Sequence, residues 1–400
     1  MTGGIGGSDA RNQLAELGPW LDRALPISSD ERMTRLAKAR ELLEASGSDA
    51  LLIGAGPSLR YFSGVSWSPT ERLVGMLVAA KGPPVIICPA FELGSLEAEL
   101  ALPNAEVRLW EEHESPSELV AQWLKDTGSS RLAIDPQLAF FFVEQIRKAA
   151  PFVDLVTASP IVDTCRMRKS ASELALMQQA KNMTLEVQRR AARILREGIT
   201  ATEVRQFIDS AHRKLGAAGS SFCIVQFGAS TAFPHGLPGE SRLTEGDLVL
   251  IDTGCIVEGY HSDITRTYVF GEPTEEQRTI WALEREAQQA AFDAVAPGVE
   301  CEVVDAAARK VLERAGLGPD YRLPGLPHRT GHGIGLSIHE PAYLVRGDRT
   351  PLAAGMCFSN EPMIVVPDRF GIRLEDHFYV TEQGAAWFTK PSSAIDAPFD

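Results

Sequence analysis

Five residues in this 400-residue chain have the types and spacing to hold a pair of divalent cations: Asp252, Asp263, His332, Glu361 and Glu375. Four are carboxylates, and each lies at or beside an apolar run. Val249-Leu-Ile-Asp252 leads into a turn, and Asp263 immediately precedes the β-branched stretch Ile264 to Phe270. Phe358-Ser-Asn-Glu361 is followed by Met363-Ile-Val-Val366, and Ile372-Arg-Leu-Glu375 by His377-Phe-Tyr-Val380. An ionised carboxylate buried in such places is costly unless it is paired or bound to a cation. Carboxylates bridge divalent ions, and one imidazole in the set points to a transition metal rather than magnesium or calcium. Taken singly, each residue has an ordinary explanation: a turn aspartate in Asp252-Thr-Gly254, a solvent-facing strand glutamate, a packed histidine in Gly331-His-Gly-Ile-Gly335. The whole set, in paired strand contexts, does not.

The elements that must position these residues form a repeat. Gly198-Ile199 is followed by Val204 and Ala211, and Gly298-Val299 by Val304 and Val311, each glycine preceding a helix of similar pattern. Leu243 to Asp252 parallels Leu352 to Glu361: a glycine turn, an apolar strand, then one carboxylate. The intervals are 252 − 198 = 54 and 361 − 298 = 63, so the halves differ by a net insertion of nine residues. A duplicated α/β unit, Lys169–Pro273 and Thr274–Asp400, would turn its carboxylates towards a shared centre. Two copies of this length fit a closed domain better than a solenoid.

Upstream, Asp30–Ser46 reads as an amphipathic helix, and Ala50–Gly54, Val74–Ala80, Pro84–Cys88 and Arg131–Asp135 as short strands, with a helix at Ser115–Lys125. The alternation predicts an α/β N-terminal domain over residues 1–162 and a catalytic domain over 163–400. Ser170 or Ser172 caps the helix that opens the second.

Bulk properties bound the function. Lys plus Arg is 39 and Asp plus Glu is 53, a net charge of −14. An acidic surface repels nucleic acid and anionic lipid, so neither is an expected partner. No secretory signal is legible in Met1 to Ala10, and the longest apolar run, Val74–Cys88, is broken by Lys81, Gly82, Pro83 and Pro84. Six scattered cysteines, without a CxxC pair, fit a reducing compartment. The cytoplasm is the expected location.

The segments Ile251 to Arg266, Gly331 to Glu340, Asn360-Glu-Pro362 and Gly371 to Asp376 strongly resemble the pita-bread metallopeptidases, the family of prolidase, aminopeptidase P and methionine aminopeptidase. The intervals 263 − 252 = 11, 361 − 332 = 29 and 375 − 361 = 14 match the prolidase pattern, and the close resemblance runs from about Lys169 to Thr389. Leu59 to Val65 and Glu71-Arg-Leu73 look like the creatinase-type domain that precedes the catalytic domain in prolidases and aminopeptidases P. Methionine aminopeptidases lack that domain. The resemblance implies an α/β (α+β) pita-bread fold with a pseudo-two-fold repeat. It also implies two divalent ions, manganese in the first place, with cobalt or zinc as alternatives. Asp252 would chelate one ion, Asp263 and Glu375 would bridge both, and His332 and Glu361 would complete the other shell. Two such ions lower the pKa of a bound water and give hydroxide near neutral pH. Glu361 would take the proton from that water and pass it to the leaving nitrogen. His339 would contact the substrate carbonyl or oxyanion, His328 the proline side, and His235 the substrate. Arg373 would orient the ligand carboxylates or pair with a substrate carboxylate.

The implied reaction is hydrolysis of the bond before proline in Xaa-Pro dipeptides. That bond is a tertiary amide with no N–H, and the ring constrains its neighbour. Aminopeptidase P activity on longer Xaa-Pro peptides is the nearest alternative. A pita-bread lyase acting on a small metabolite and a non-catalytic binding module are the others, and organophosphate hydrolysis is conceivable as a side activity. A homodimer is expected, with the loop Ser66 to Arg72 lining the partner's active site.

Overall fold

The structure, a computed structural model, describes residues 4–399. Pro26–Arg166 forms one compact unit; the segment up to Leu25 and the chain from Met167 onward form the other. The sequence expectation divides the chain at 162/163 and keeps its first residues with the smaller domain. Two local features place the division elsewhere. The helix Ser159–Met167 continues past residue 162, burying Ile161, Val162, Cys165 and Arg166. Tyr61 Oη donates to Cys165 O at 2.8 Å, and Arg166 donates to Ser58 Oγ at 3.1 Å, so this helix closes the smaller unit. The segment before Pro26 packs on helices of the larger unit instead: Gly6 N–H donates to Ala192 O (2.8 Å), Trp20 N–H to Leu215 O (2.9 Å) and Ala24 N–H to Gln179 Oε1 (2.8 Å).

The smaller unit is a six-stranded sheet in the order Glu106–Trp110, Val85–Pro89, Gly75–Ala79, Ala50–Gly54, Arg131–Ile134 and Asp154–Thr157. The three strands from Ala50 to Pro89 run as an antiparallel meander, and the outer pairs are parallel. Ala50–Gly54 is buried along its whole length, as its unbroken apolar run requires of a central strand. The helix Ser29–Ala45 starts where Ser28 caps it, its hydroxyl accepting from Glu31 N–H.

In the larger unit the repeat becomes geometry. Each half begins with a long helix, Ala171–Arg193 or Glu275–Asp293, then a second, Ala201–Leu215 or Cys301–Arg314. Three of the four are closed at the N-terminus by a capping box, on Ser170, Thr200 and Thr274. Each half then supplies three antiparallel strands in the order third–second–first. They are Ile264–Val269, Leu248–Gly254 and Phe222–Phe227 in one half, and Asp376–Val380, Cys357–Asn360 and Gly331–Gly333 in the other. Glu340–Leu344 and Ala385–Trp387 extend the second sheet at its two edges. The glycine turns are superposable in their bonding. Gly198 N–H donates to Leu243 O and Gly298 N–H to Leu352 O, both at 2.8 Å, with φ of +76° and +86° that favour glycine. An isolated bridge, Thr265 to Glu375, joins the halves at their centre.

Each half has its own apolar core. Val187, Val204, Phe207 and Ile251 belong to one, and Ala287, Val304, Phe358 and Phe378 to the other. Within the first lies a polar chain in which Ser262 Oγ meets Thr184 Oγ1 at 2.7 Å. Thr184 Oγ1 meets His212 Nε2 at 3.2 Å, and His212 Nδ1 meets Ser220 Oγ at 2.9 Å. Burial pushes His212 down to about 4, with Asp209 opposing weakly. An unfolded imidazole titrates near ~6.5, so the unfolded chain takes the proton first and stability falls as pH drops from ~6.5 towards ~4, by about 3 kcal/mol in all. Denaturant titrations of the metal-stripped protein at about pH 7.5 and about pH 5 should show this loss, and His212→Gln should reduce it. Among the described residues, no helix is long and apolar enough to cross a membrane.

Candidate metal centre

The site lies where the carboxylate ends of the two sheets meet. Asp252 is on the strand Leu248–Gly254, directly opposite Thr265 of Ile264–Val269, and Asp263 immediately precedes that second strand. Glu361 follows Cys357–Asn360, Glu375 precedes Asp376–Val380, and His332 is the middle residue of Gly331–Gly333. The carbonyls just before the two repeat-related carboxylates are held alike. Gln188 donates to Ile251 O at 3.2 Å and Gln288 to Asn360 O at 3.3 Å, from helix positions 288 − 188 = 100 residues apart. Backbone and side chain are thus fixed together at Asp252 and Glu361.

Asp263, His332 and Glu375 each offer a ligand atom, and these atoms lie within 4.8 Å of one another. All three residues are buried. His332 Nδ1 sits 3.0 Å from Gly333 O; donating there leaves Nε2 facing the carboxylates, 3.1 Å from Glu361 Oε1 and 3.9 Å from Asp263 Oδ2. Three buried carboxylate oxygens, Asp252 Oδ1, Asp263 Oδ1 and Glu375 Oε1, have no hydrogen-bond partner. Orphaned carboxyl oxygens around a ligand-oriented imidazole are what a divalent cation would satisfy, so the donor set fits the expected metals.

Electrostatics point the same way. Burial raises Asp252, with Arg373 opposing it. Burial, followed by the charges of Glu375 and Asp252, holds Asp263 well above the usual carboxylate range. Burial, followed by Glu361 and Asp252, does the same to Glu375. Glu361 is the exception: burial would raise it, but the His332 contact and neighbouring cations bring it down to about 2, so it stays ionised. Such crowded acids share one low-dielectric space and ionise together only with added positive charge. Asp263→Asn should therefore stabilise the metal-stripped protein at about pH 8, by on the order of 1–3 kcal/mol, while abolishing metal uptake. Denaturant unfolding and metal analysis of the same preparation check both halves of that expectation.

Arg373 is buried and donates to Asp252 Oδ2 at 2.6 Å, to Thr265 Oγ1 at 3.1 Å and to Pro234 O at 3.3 Å. It is therefore an orienting partner of a carboxylate. Asp252 lies outside the tight trio, with one oxygen on Arg373 and the other unpartnered. Arg266 points away from the centre, donating to Asp376 Oδ1 at 2.7 Å and to Glu375 O at 2.9 Å. It anchors the segment that carries Glu375.

The histidines fall at different distances from this cluster. His339 sits with its ring centroid 4.1 Å from that of His332. Partial burial, with His332 nearby, pushes it down to about 4. The next residue, Glu340, accepts from Lys169 Nζ at 2.9 Å and from Ser337 N–H at 3.0 Å, which pins the turn presenting His339. His328 Nδ1 lies 2.7 Å from Arg329 O, while Nε2 is buried without a partner. Its backbone is clamped by the buried Arg309, which donates to His328 O at 2.5 Å and pairs with Asp305 at 2.9 Å. His235 is exposed and lines a cavity of about 300 Å³ with Arg205, Ile224 and Gln226.

Several supporting residues escaped sequence reasoning. Thr265 Oγ1 donates to Glu375 Oε2 at 2.7 Å. Ser359 Oγ accepts from His332 N–H at 2.9 Å and donates to Glu361 Oε1 at 3.1 Å. His377 also lies near, its Nε2 3.7 Å from Glu375 Oε1, too far for a hydrogen bond. A usable signal was present: Ser359 and His377 lie two residues from Glu361 and Glu375, the spacing that shares one face of a strand.

The fold and site define a mixed α/β metallohydrolase of pita-bread architecture. The chain matches metallopeptidase family M24 over residues 175–382 and the creatinase/prolidase N-terminal domain over residues 35–168. It belongs to that metallopeptidase family. It is similar to the Xaa-Pro dipeptidase of Lactobacillus helveticus, 34% identical over 361 residues, which span 88% of this chain and 96% of the relative. The crystal structure of dipeptidase PepE from Mycobacterium ulcerans has a TM-score of 0.85 and 35% identity, covering 93% of this chain and 99% of that one. A prolidase from Thermococcus sibiricus has a TM-score of 0.81 and 30% identity, covering 90% and 96%.

Proposed function

We propose that this protein hydrolyses the peptide bond before proline in Xaa-Pro dipeptides. The observation that carries the reading is the buried cluster of Asp263, His332 and Glu375, flanked by Asp252 and Glu361 and backed by orphaned oxygens. Relatives named Xaa-Pro dipeptidase, dipeptidase and prolidase, matched along nearly their whole length, support the substrate class. Asp252, Asp263, His332, Glu361 and Glu375 would hold two divalent ions, with Mn2+ first among the candidates. When bound, such ions supply Lewis acidity and an acidified water.

The chain's own residues do the rest. Glu361, ionised and held by Ser359 and His332, would accept a proton and deliver it to the leaving nitrogen. His339, neutral at physiological pH, would offer its one N–H to the developing oxyanion. His328 and His235 would border the substrate, and Arg373 holds Asp252 in place. The acidic chain favours no nucleic-acid role. A homodimer in the cytoplasm completes the proposal.

Initial rates on Ala-Pro and Ala-Pro-Ala at equal concentration, with manganese added, test it. Cleavage of the dipeptide alone is expected, since a dipeptidase pocket would require the proline carboxylate. Preferential cleavage of the tripeptide would reassign the protein to aminopeptidase P chemistry. Cleavage of neither, by protein that holds metal, would sink the peptidase reading.

A further inference from the structure

His377 has no place in the chemistry above, yet it is fully buried with both ring nitrogens lacking a hydrogen-bond partner. A buried imidazole left with neither nitrogen satisfied costs on the order of 1–3 kcal/mol per group, so its surroundings call for an explanation. On the strand Asp376–Val380 it lies opposite Ser359, the residue that holds both His332 and Glu361. Strand periodicity turns it to the same face as Glu375, two residues before it. Its Nε2 is 3.7 Å from Glu375 Oε1, which is itself an orphaned buried oxygen. Glu375 Oε2 is already taken by Thr265 at 2.7 Å. Two unsatisfied groups thus face each other across a gap about 0.7 Å longer than an ordinary N–H···O bond. A small rotation of either side chain closes it.

We infer that His377 is a positioning residue for the metal centre, its Nε2–H hydrogen-bonding Glu375 and fixing how that carboxylate presents itself to divalent cations. The inference rests on the metal-centre reading of the cluster. A neutral imidazole has one N–H to give, and an ionised carboxylate bearing a cation accepts it well. Thr265 and His377 then hold the two oxygens of Glu375 from two sides. Outer partners of this kind fix ligand geometry and set affinity.

The test uses the full chain after chelator treatment, titrated with Co2+ alone and followed by calorimetry and visible absorption. Relative to the wild type, His377→Phe is expected to lose about 10–100-fold in affinity for at least one cation and to shift the Co2+ absorption band. His377→Gln, which keeps an N–H near the Nε2 position, is expected to recover most of both. Wild-type affinity with an unchanged band in His377→Phe would overturn the inference, as would a glutamine variant no better than phenylalanine. Should His377→Phe not fold, 15N shifts of His377 in the loaded wild type decide: an Nε2–H tautomer supports the assignment and an Nδ1–H tautomer overturns it. A wild type that takes up no Co2+ removes the metal-centre reading and this inference with it, an outcome distinct from those seen only in the variants.

Discussion

Glu361→Ala is expected to abolish measurable turnover, a fall on the order of 10⁴, because one substitution removes a proposed ligand and the proposed proton carrier together. Glu361 alone among the site's carboxylates is held firmly in its ionised form, by the His332 contact and nearby cations acting against burial. Its loss leaves His332 Nε2 without its 3.1 Å partner and frees Ser359 Oγ from one of its two bonds. The histidine should therefore lose orientation as the charge is lost. Glu361→Gln separates these effects, keeping shape and hydrogen bonding while removing the basic carboxylate. Rates on Ala-Pro and metal content should be read side by side. A glutamine variant with most of its metal and no turnover fits a proton-carrying role, whereas an alanine variant of full activity would end that assignment.

His339→Ala is expected to lower kcat by about 10² or more while metal content stays at the wild-type level, the scale of a lost oxyanion donor. The ring is close to the cluster, its centroid 4.1 Å from that of His332, without belonging to the trio of candidate ligands. Partial burial keeps it neutral until pH falls to about 4, so its single N–H is available across the physiological range. The Lys169–Glu340 pair should matter to the same function at one remove. That pair is almost fully buried and fixes the residue next to His339. A His339→Ala enzyme that turns over at the wild-type rate would rule out the oxyanion role. One that has also lost metal would place His339 in the binding shell.

Much of this architecture was legible in the sequence because the signals were local. Ala50-Leu-Leu-Ile-Gly54 is a strand in the structure with the bounds its apolar run indicates, and Met363–Val366 likewise. The duplicated glycine turn and apolar strand indicated a duplicated α/β unit, and the two halves do share a strand order. Of the five metal-site candidates, Asp263, His332 and Glu375 lie together, with Glu361 on His332 and Asp252 on Arg373, since strand ends in a repeated unit leave few ways to arrange them. The pairing partners were not legible. Arg373 on Asp252, Gln288 on Asn360 O and Arg309 on His328 O are contacts between elements far apart in the chain, and no spacing rule encodes them. The path of the first 25 residues was hidden for the same reason: nothing in their composition says which helices they will lie against.

That path has a consequence for how the protein is made. The residues up to Leu25 leave a ribosome well before Ala192 and Leu215, on which they dock. Their binding surface is complete only once Leu215 has been added, 215 − 25 = 190 residues later. At ~5–20 residues per second that is a wait of roughly 10–40 s, with Leu14, Leu17 and Trp20 still without the core they pack against. Meanwhile Pro26–Arg166, a unit with its own sheet, has its whole sequence in hand once Arg166 has been added. The larger unit is thus closed by its oldest residues last. A fusion partner placed ahead of them would burden the step that completes the catalytic half of the molecule.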